Sequence, residues 1–218
     1  MDTPSLYYEG IRPEVVKFIP SLYSKVLEIG CGEGNFHTHI NQKCEYWGVE
    51  PFQAAAKIAS SRLFKVLTGT YEEVYDQLPD SYFDLVICND VIEHMLDYGA
   101  FFQTIKHKMK KGSFIIGSIP NVRFFPNLTE LLIEKDWEYK DSGILDRTHL
   151  RFFTEKSLKR TFIEHEFIIE EFCGICRYSS KNLKEWLQIY ILGGDTRFLQ
   201  FGFRIKYTDS PTDQSNRR

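Results

Sequence analysis

The sequence predicts an α/β protein built on a doubly wound, mostly parallel seven-stranded sheet, and two observations lead to this class. Short runs of β-branched and aromatic residues alternate with helical patterns from Lys25 onward. Most of these runs have a continuous apolar stretch, which is typical of strands that helices cover on both faces. The predicted strands are KVLEI (25–29), EYWGVE (45–50), FKVLT (64–68), FDLVICN (83–89), GSFIIGSI (112–119), FIIEEF (167–172) and FLQFGFRIKY (198–207).

Helical patterns fill the intervals and make each crossover long enough to be right-handed. We expect helices near 35–41, 51–62, 71–77 and 98–109, and a further helix that Thr154 caps and that ends at His165. Near the end, apolar residues recur at helical spacing before Gly193 and Gly194, and we expect this stripe to pack into the core or a lid. The stripe consists of Leu183, Trp186, Leu187, Tyr190 and Ile191.

The pattern changes after the fifth strand, where residues 120–153 mix aromatic, charged and turn residues. This composition indicates an inserted lid within a single domain that spans residues 1–207. The polar residues 208–218 have nothing to bury and are predicted to form a disordered tail.

Composition and charge narrow the function classes. The 218 residues are 43% hydrophobic, and 27 Lys and Arg stand against 30 Asp and Glu for a net charge of -3. The chain has no basic run that could follow a phosphate backbone, so nucleic acid is not the expected substrate. The start lacks a signal-peptide pattern, and no apolar stretch reaches the roughly 20 residues of a membrane helix. We therefore expect a soluble cytoplasmic protein, monomeric or homodimeric, that acts on a small molecule.

Neither the cysteines nor the histidines form a metal-ligand pattern. Five cysteines are scattered through apolar runs, which favours reduced structural thiols. Cys173 and Cys176 have no further pair of ligands at matching spacing, and His37 and His39 face different sides of a helix. We expect no bound metal.

The stretch VLEIGCGEGNF (26–36) carries the most specific local signal. Gly30, Gly32 and Gly34 follow the first strand at alternate positions, where glycine allows positive φ and close approach of the backbone to a ligand. A dinucleotide fingerprint would need its third glycine one residue later, and the acidic Glu33 would repel a pyrophosphate. With Glu28 adding negative charge, the loop suits a ligand that carries positive charge and no phosphate.

These residues resemble the first motif of the class I S-adenosylmethionine-dependent methyltransferases, which have a Rossmann-like fold. Glu50 in GVEPF matches the acidic residue that closes their second strand and binds the ribose hydroxyls. The sequence FDLVICNDVIEHM resembles their fourth strand, which places Asn89 and Asp90 beside the methionine part of the cofactor. By the same resemblance, Glu93 and His94 face or support the reaction centre.

The resemblance implies S-adenosylmethionine as cofactor and S-adenosylhomocysteine as product. The usual Gly-Asp after strand three is replaced here by Gly69-Thr70-Tyr71-Glu72, so the adenine contact falls to Thr70, the Tyr71 backbone or Glu72. The residues expected to bind the cofactor are Glu28, Gly30, Cys31, Gly32, Gly34, Glu50, Pro51, Thr70, Tyr71, Asn89, Asp90 and Val91.

Methyl transfer from a sulfonium is an in-line displacement that depends on alignment in a dry cleft. If the acceptor is a hydroxyl, a base must take its proton. His149 in LDRTHLRFF is the first candidate, oriented by Asp146 or Asp90, and His94 is the second. His149 as a purely structural hydrogen-bonding residue stays open.

IPNVRFF and GILDRTHLRFFT resemble a branch of these enzymes associated with bacterial glycans and lipid-linked glycans, which implies an O-methyltransferase acting on a sugar, glycan or lipid-type hydroxyl. Aromatic residues of the lid, among them Phe124, Trp137 and Phe152, could wall an acceptor pocket. Two other classes stay open: a non-catalytic S-adenosylmethionine-binding module that acts through a protein partner, and an NAD-linked oxidoreductase.

Overall fold

A computed structural model describes residues 11–208 of the chain. It contains one seven-stranded sheet in the order β3-β2-β1-β4-β5-β7-β6. All neighbouring strands are parallel except β7, which is antiparallel to both β5 and β6. The strands are β1 (Lys25–Ile29), β2 (Glu45–Glu50), β3 (Lys65–Thr68), β4 (Phe83–Asn89), β5 (Met109–Pro120), β6 (Phe167–Arg177) and β7 (Phe198–Tyr207).

Six α-helices connect or flank these strands. Asp97 caps α3 by accepting the Ala100 N–H at 2.9 Å, and Thr154 caps α5 by accepting the Ser157 N–H at 3.2 Å. The helices are α1 (Gln53–Ala59), α2 (Tyr71–Val74), α3 (Tyr98–Lys108), α4 (Phe125–Thr129), α5 (Glu155–Glu164) and α6 (Leu183–Leu192).

The predicted fold class is confirmed, and the differences are in element lengths. The helix expected at 35–41 is a single 3-10 turn, Asn35–His39, because Ile40 leaves in an extended conformation. β6 is longer than predicted because β7 pairs with it as far as Arg177, and β5 starts earlier than predicted because Met109 pairs with Phe83 of β4. The polar tail predicted beyond Tyr207 lies outside the described residues, apart from Thr208, and the single-domain boundary stays a prediction.

Helices cover the sheet on both faces, as the apolar strands predicted. Leu27 and Ile29 of β1 enter a core rich in phenylalanine, which includes Phe102 and Phe162. Val26 points to the opposite face and packs in a second cluster with Phe18, from the 3-10 helix Pro13–Phe18. No helix in residues 11–208 is long and apolar enough to cross a membrane.

The chain order creates a crevice at the carboxyl ends of β1 and β4. From β1 the chain proceeds outward through β2 and β3, and it then returns to β4 on the other side of β1. In open α/β sheets such a reversal of strand order is where ligands bind. The loops after β1 and β4 meet there, since a Cβ on Gly30 would lie 3.0 Å from Val91 Cγ2.

The prediction that the late apolar stripe packs into the core or a lid is wrong. Leu183, Tyr190 and Ile191 are 79%, 71% and 73% exposed, and Trp186 and Leu187 are about half exposed. The helix forms as expected, but its buried contact is Ile189, on a different side. Helical periodicity identifies an apolar face without saying what that face contacts.

The segment between β5 and α5 is anchored to the sheet at both ends. Asn121 donates to the Asp195 and Phe198 carbonyls, each at 2.9 Å. At the other end, the Leu150 and Arg151 N–H groups donate to the Glu93 carbonyl at 2.9 and 3.1 Å. This second anchor joins the inserted segment to the loop after β4.

Candidate active site

The glycine loop has the backbone conformation that its sequence predicts. Gly30, Gly32 and Gly34 have φ of 68°, 53° and 77°, a region that residues with a Cβ rarely adopt. Arg62 Nη1 donates to the Glu33 carbonyl at 2.8 Å and lies 3.8 Å from its carboxylate. The Glu33 charge is therefore partly offset by Arg62, which weakens the argument that it repels a pyrophosphate.

Glu50 braces the crevice from the end of β2. Its Oε2 accepts the Gly32 N–H at 2.8 Å and its Oε1 accepts the Phe52 N–H at 2.9 Å. Burial raises the pKa of this carboxyl, although both hydrogen bonds oppose the shift. A carboxylate has about four acceptor positions, so two backbone bonds leave capacity for hydroxyl donors.

Glu28 lies beneath the loop and is 4% exposed. Its Oε2 accepts the Tyr46 hydroxyl at 2.8 Å. Burial raises its pKa to about 8, and the Glu50 charge adds to the shift while the Tyr46 bond opposes it. The predicted contact of Glu28 with the cofactor stays a prediction.

Asn89 ends β4 at the crevice, and neither atom of its amide has a hydrogen-bond partner among residues 11–208 although both atoms are buried. A buried amide without partners costs free energy unless something else satisfies it. The amide offers donors and an acceptor, and a ligand with both a carboxylate and an ammonium group complements it.

Asp90 is held by three other residues. Its Oδ1 accepts the Ser118 hydroxyl at 2.9 Å and the Gln200 amide at 2.8 Å, and Arg12 forms an ion pair with Oδ2. Asp90 has φ of 51°, so the network stabilises a backbone conformation that is unusual for aspartate. These contacts support a positioning role for Asp90, and its predicted place beside the methionine part of the cofactor stays a prediction.

The sequence analysis missed Arg12, Ser118 and Gln200. Gln200 had a signal in the sequence, because it is a polar residue in the otherwise apolar run FLQFGF. This run begins β7, at the edge of the sheet where the carboxyl ends of the parallel strands lie. Arg12 carried no comparable signal, because only the fold brings it to Asp90.

The remaining predicted cofactor residues lie along the same edge in different environments. Cys31 is a buried free thiol, Pro51 is exposed, and Val91 packs on Gly30. Thr70 caps α2 by accepting the Glu73 N–H. The Tyr71 ring is buried in the core and its hydroxyl bonds Thr104, so an adenine contact would fall to its backbone, as predicted.

Glu93, His94 and His149 form a cluster at the junction of the β4 loop and the inserted segment. His149 Nε2 lies 4.0 Å from Glu93 Oε1, and the His94 and His149 rings meet edge to face with centroids 4.7 Å apart. Glu93 is 1% exposed, and neither carboxylate oxygen has a hydrogen-bond partner among the described residues. The two predicted candidates for the base, His149 and His94, are therefore neighbours, and Glu93 is the buried acidic residue beside them.

The orientation predicted for His149 through Asp146 or Asp90 is wrong. His149 Nδ1 donates to the Ile144 carbonyl at 2.9 Å, which fixes the tautomer and leaves the lone pair on Nε2 toward Glu93. Asp146 Oδ1 instead accepts the Thr148 N–H and hydroxyl, at 2.8 and 2.6 Å. A main-chain carbonyl can orient a ring as well as a carboxylate, and sequence does not reveal it.

Two pKa shifts describe the cluster. Burial raises the pKa of Glu93 to about 8, with a further rise from the Asp146 charge. Burial also lowers the pKa of His94, and the adjacent His149 lowers it further. Both shifts favour the neutral form, so the cluster is suited to gaining or losing a proton near neutral pH.

The same three side chains could hold a divalent cation. One ligand atom from each of Glu93, His94 and His149 lies within 4.8 Å of the others, and the Ile144 bond orients His149 as carbonyls orient metal-binding histidines. Two imidazoles and one carboxylate suit a first-row transition ion better than magnesium. The sequence-based expectation of no metal stays a prediction.

The aromatic residues of the inserted segment mostly contact one another or the core. Trp137 packs against Phe152 with centroids 5.5 Å apart, and Phe124 packs against Tyr178 at 5.8 Å. Arg147 pairs with Asp141, and Arg151 donates to the Leu96 carbonyl at 2.7 Å. These contacts give the segment a small core of its own.

Comparisons with known proteins assign the family. A family model described as a methyltransferase domain matches residues 8–171. The ubiquinone biosynthesis O-methyltransferase of Bradyrhizobium diazoefficiens is 26% identical over 157 residues, which are 69% of this chain and 61% of that protein. The mitochondrial enzyme of the same name from Schizosaccharomyces pombe is 27% identical over 161 residues, 70% of this chain and 58% of that protein. The matches thus span about three fifths of these relatives.

Solved structures share the fold at low identity. An Archaeoglobus fulgidus SAM-dependent methyltransferase superposes with a TM-score of 0.62 and 22% identity, over 93% of each chain. A Listeria monocytogenes protein described as a putative S-adenosylmethionine-dependent methyltransferase superposes with a TM-score of 0.65 and 14% identity, over 94% of this chain and all of that chain.

The residues present fit S-adenosylmethionine. The left-handed glycine loop leaves room for its backbone approach, Glu50 offers acceptors for ribose hydroxyls, and the unpartnered Asn89 amide complements an amino acid group. The chain belongs to the methyltransferase-domain family, and its fold and cofactor are those of the class I S-adenosylmethionine-dependent methyltransferases.

Proposed function

We propose that this protein is an S-adenosylmethionine-dependent O-methyltransferase whose acceptor is a hydroxyl of a sugar, glycan or lipid-type small molecule. The observation that carries the proposal is the buried Glu93 carboxyl, which lies beside His149 Nε2, has no hydrogen-bond partner within residues 11–208 and follows Asn89 by four residues. A proton-accepting cluster next to a methyl donor is what transfer to a hydroxyl requires. The names of the curated relatives also describe O-methyltransferases.

In this mechanism the chain aligns the reactants and receives a proton. S-adenosylmethionine supplies an electrophilic methyl group bound to a sulfonium. The glycine loop, Glu50 and Asn89 bind and orient it, and the inserted segment excludes water from the crevice. His149 Nε2 accepts the hydroxyl proton as the new bond forms, with Nδ1 held by the Ile144 carbonyl. The imidazolium lies close to Glu93 Oε1, 4.0 Å from Nε2, and favours the ionised form of that carboxyl, which in turn stabilises the imidazolium.

Binding is tested first, by calorimetric titration with S-adenosylhomocysteine and with NAD under the same conditions. We expect binding of S-adenosylhomocysteine alone, and its loss in Gly32→Asp and Glu50→Ala. The aspartate adds a side chain and a negative charge at a φ of 53°, and the alanine removes the acceptors at the end of β2. Binding of NAD alone would replace the proposal with the oxidoreductase reading.

Catalysis is tested by screening hydroxylated sugars and lipids and then comparing His149→Ala with His107→Ala. His107 is an exposed histidine near the opposite edge of the sheet, and its substitution controls for loss of an imidazole elsewhere. We expect kcat to fall roughly 10²- to 10⁴-fold in His149→Ala alone, the usual contribution of a general base. Methyl transfer that is unchanged in both His149→Ala and His94→Ala would show that neither histidine is the base. If no acceptor is methylated while S-adenosylhomocysteine still binds, the protein is a binding module.

The cation question is tested with the same assay. Activity that a chelator abolishes and Mn²⁺ restores would make His149 a ligand and not a base, because one Nε2 lone pair cannot do both.

We further propose that the protein acts in the cytoplasm on a small molecule, without nucleic acid, as a monomer or homodimer.

A further inference from the structure

The face of α6 exposes more apolar surface than a helix of its length normally does. Five large apolar side chains lie along one stripe, and three of them are more than 70% exposed. Trp186 and Tyr190 stack with centroids 5.8 Å apart and ring planes 10° apart. Contiguous apolar surface of this kind usually marks a site of interaction.

α6 stands at the same edge of the sheet as the candidate active site. Arg177 at the end of β6 pairs with Phe198 at the start of β7, and Pro120 at the carboxyl end of β5 pairs with Gln200. Arg123 then joins the inserted segment to the end of the helix by donating to the Leu192 carbonyl at 2.6 Å. A surface that binds α6 therefore lies beside the crevice.

The charged groups around the stripe are basic where they are exposed. Arg177, Lys181 and Lys184 are exposed beside or within the first turn of α6. The two carboxylates of residues 177–195 are engaged within the chain. Glu185 accepts the Lys181 N–H at 2.7 Å and the Tyr178 hydroxyl at 3.2 Å, and Asp195 pairs with Arg123.

A second exposed apolar group lies in the inserted segment but has the opposite charge around it. Leu131, Leu132 and Ile133 are followed by the exposed residues Glu134, Lys135 and Asp136, whose net charge is negative. Charge therefore distinguishes α6 as the face that complements a negatively charged surface.

We propose that α6 docks the active-site edge against an anionic lipid surface, so that the methyl acceptor is a hydroxyl of a lipid-anchored molecule. This inference rests on the proposed function. Trp and Tyr are the side chains that favour the boundary between headgroups and acyl chains, and lysines beside them attract anionic headgroups. The helix is ten residues long, so it lies on the surface of the membrane without crossing it.

The experiment is flotation of the full chain with vesicles of phosphatidylcholine alone or mixed with phosphatidylglycerol. We expect binding to the mixed vesicles that weakens with salt. The double variant Trp186→Ser, Leu187→Ser should bind roughly tenfold more weakly or worse, because two inserted side chains are lost. Lys181→Glu, Lys184→Glu should abolish the preference for phosphatidylglycerol. Leu22→Ser is the matched control, since Leu22 is 85% exposed and lies ahead of β1.

Calorimetry with S-adenosylhomocysteine separates this inference from the proposed function. We expect every α6 variant to retain wild-type affinity, which also shows that it is folded. The docking proposal is overturned if the wild-type protein binds neither kind of vesicle, or if an α6 variant floats as the wild type does. Neither outcome would affect the proposal of methyl transfer. Sedimentation is the second check. A dimer that the α6 double variant dissociates would assign the stripe to a second copy of the chain and would also overturn the proposal.

Discussion

Replacing Glu28 with glutamine should remove a large pH dependence from the stability of the fold. The carboxyl of Glu28 is buried under the glycine loop, and its pKa is about 8 against an ordinary value of 4.5. Between these two values the folded chain keeps a proton that the unfolded chain has lost. The stabilising contribution of the protonated Glu28 carboxyl is therefore fully present below about pH 4.5, and it is lost as the pH rises toward 8.

The size of the effect follows from the shift. At roughly 1.4 kcal/mol per pKa unit, Glu28 should destabilise wild-type protein by about 3 kcal/mol as the pH rises from about 5 to about 8. Glutamine keeps an oxygen that can accept the Tyr46 hydroxyl and does not titrate. The free energy of unfolding of Glu28→Gln relative to wild type should consequently increase over this range. Buried carboxyls that do not interact with Glu28, such as Glu93, contribute equally to both proteins and cancel in the difference.

Urea unfolding followed by tryptophan fluorescence, at constant ionic strength across that pH range, measures the difference. Tyr46→Phe is the control, since loss of the hydroxyl removes a bond that lowers the Glu28 pKa and should extend the titration to higher pH. A difference between wild type and Glu28→Gln that is flat with pH would refute the reasoning, because it would mean that Glu28 titrates normally in the fold.

Two further predictions concern the scaffold, and both are measured by the same unfolding assay. Gly117→Ala should destabilise the protein by about 3 kcal/mol or more, because its Cβ would lie 2.0 Å from the Cys88 carbonyl oxygen in the adjacent strand. Gly112→Ala is the control. Gly112 has φ of 79° and nothing within 4 Å of an added Cβ, so this substitution should cost only about 1 kcal/mol of backbone strain. Equal losses would contradict the steric argument. Thr154→Ala should cost about 1 kcal/mol by removing the acceptor for the Ser157 N–H, whereas Thr154→Ser should be near neutral; an alanine variant as stable as wild type would mean that the cap contributes nothing.

Sequence predicted those parts of the fold that local patterns determine. β1, β2, β4 and β7 begin and end at the predicted residues, because apolar runs bounded by turn residues specify buried strands. The late helix was also predicted, from the spacing of its apolar residues. The sequence did not predict what that helix contacts, since the direction of its apolar face depends on how the helix is connected to β6 and β7.

The candidate site was predictable as a set of motifs but not as a geometry. The glycine loop and Glu50 follow from residues adjacent in sequence, whereas His149 and Glu93 lie far apart in the chain and meet only through the anchor of the inserted segment on the Glu93 carbonyl. The Ile144 carbonyl that orients His149 is a backbone group, and any residue at that position would supply it. Arg12 reaches Asp90 only because the sheet brings the start of the described chain to the end of β4.

The position of β7 has a consequence for how the chain folds during synthesis. In the described residues β6 hydrogen-bonds to β7 alone within the sheet, and β7 separates it from β5. While the ribosome holds residues 198–207, β5 has an unpaired edge and β6 has no partner. The first five strands can assemble before residues 198–207 emerge from the ribosome, but the edge that carries Gln200 and α6 forms only afterwards. Nascent chains in which residues 198–207 are still inside the ribosome should therefore expose the edge of β5 to chaperones, and the emergence of these residues should close it.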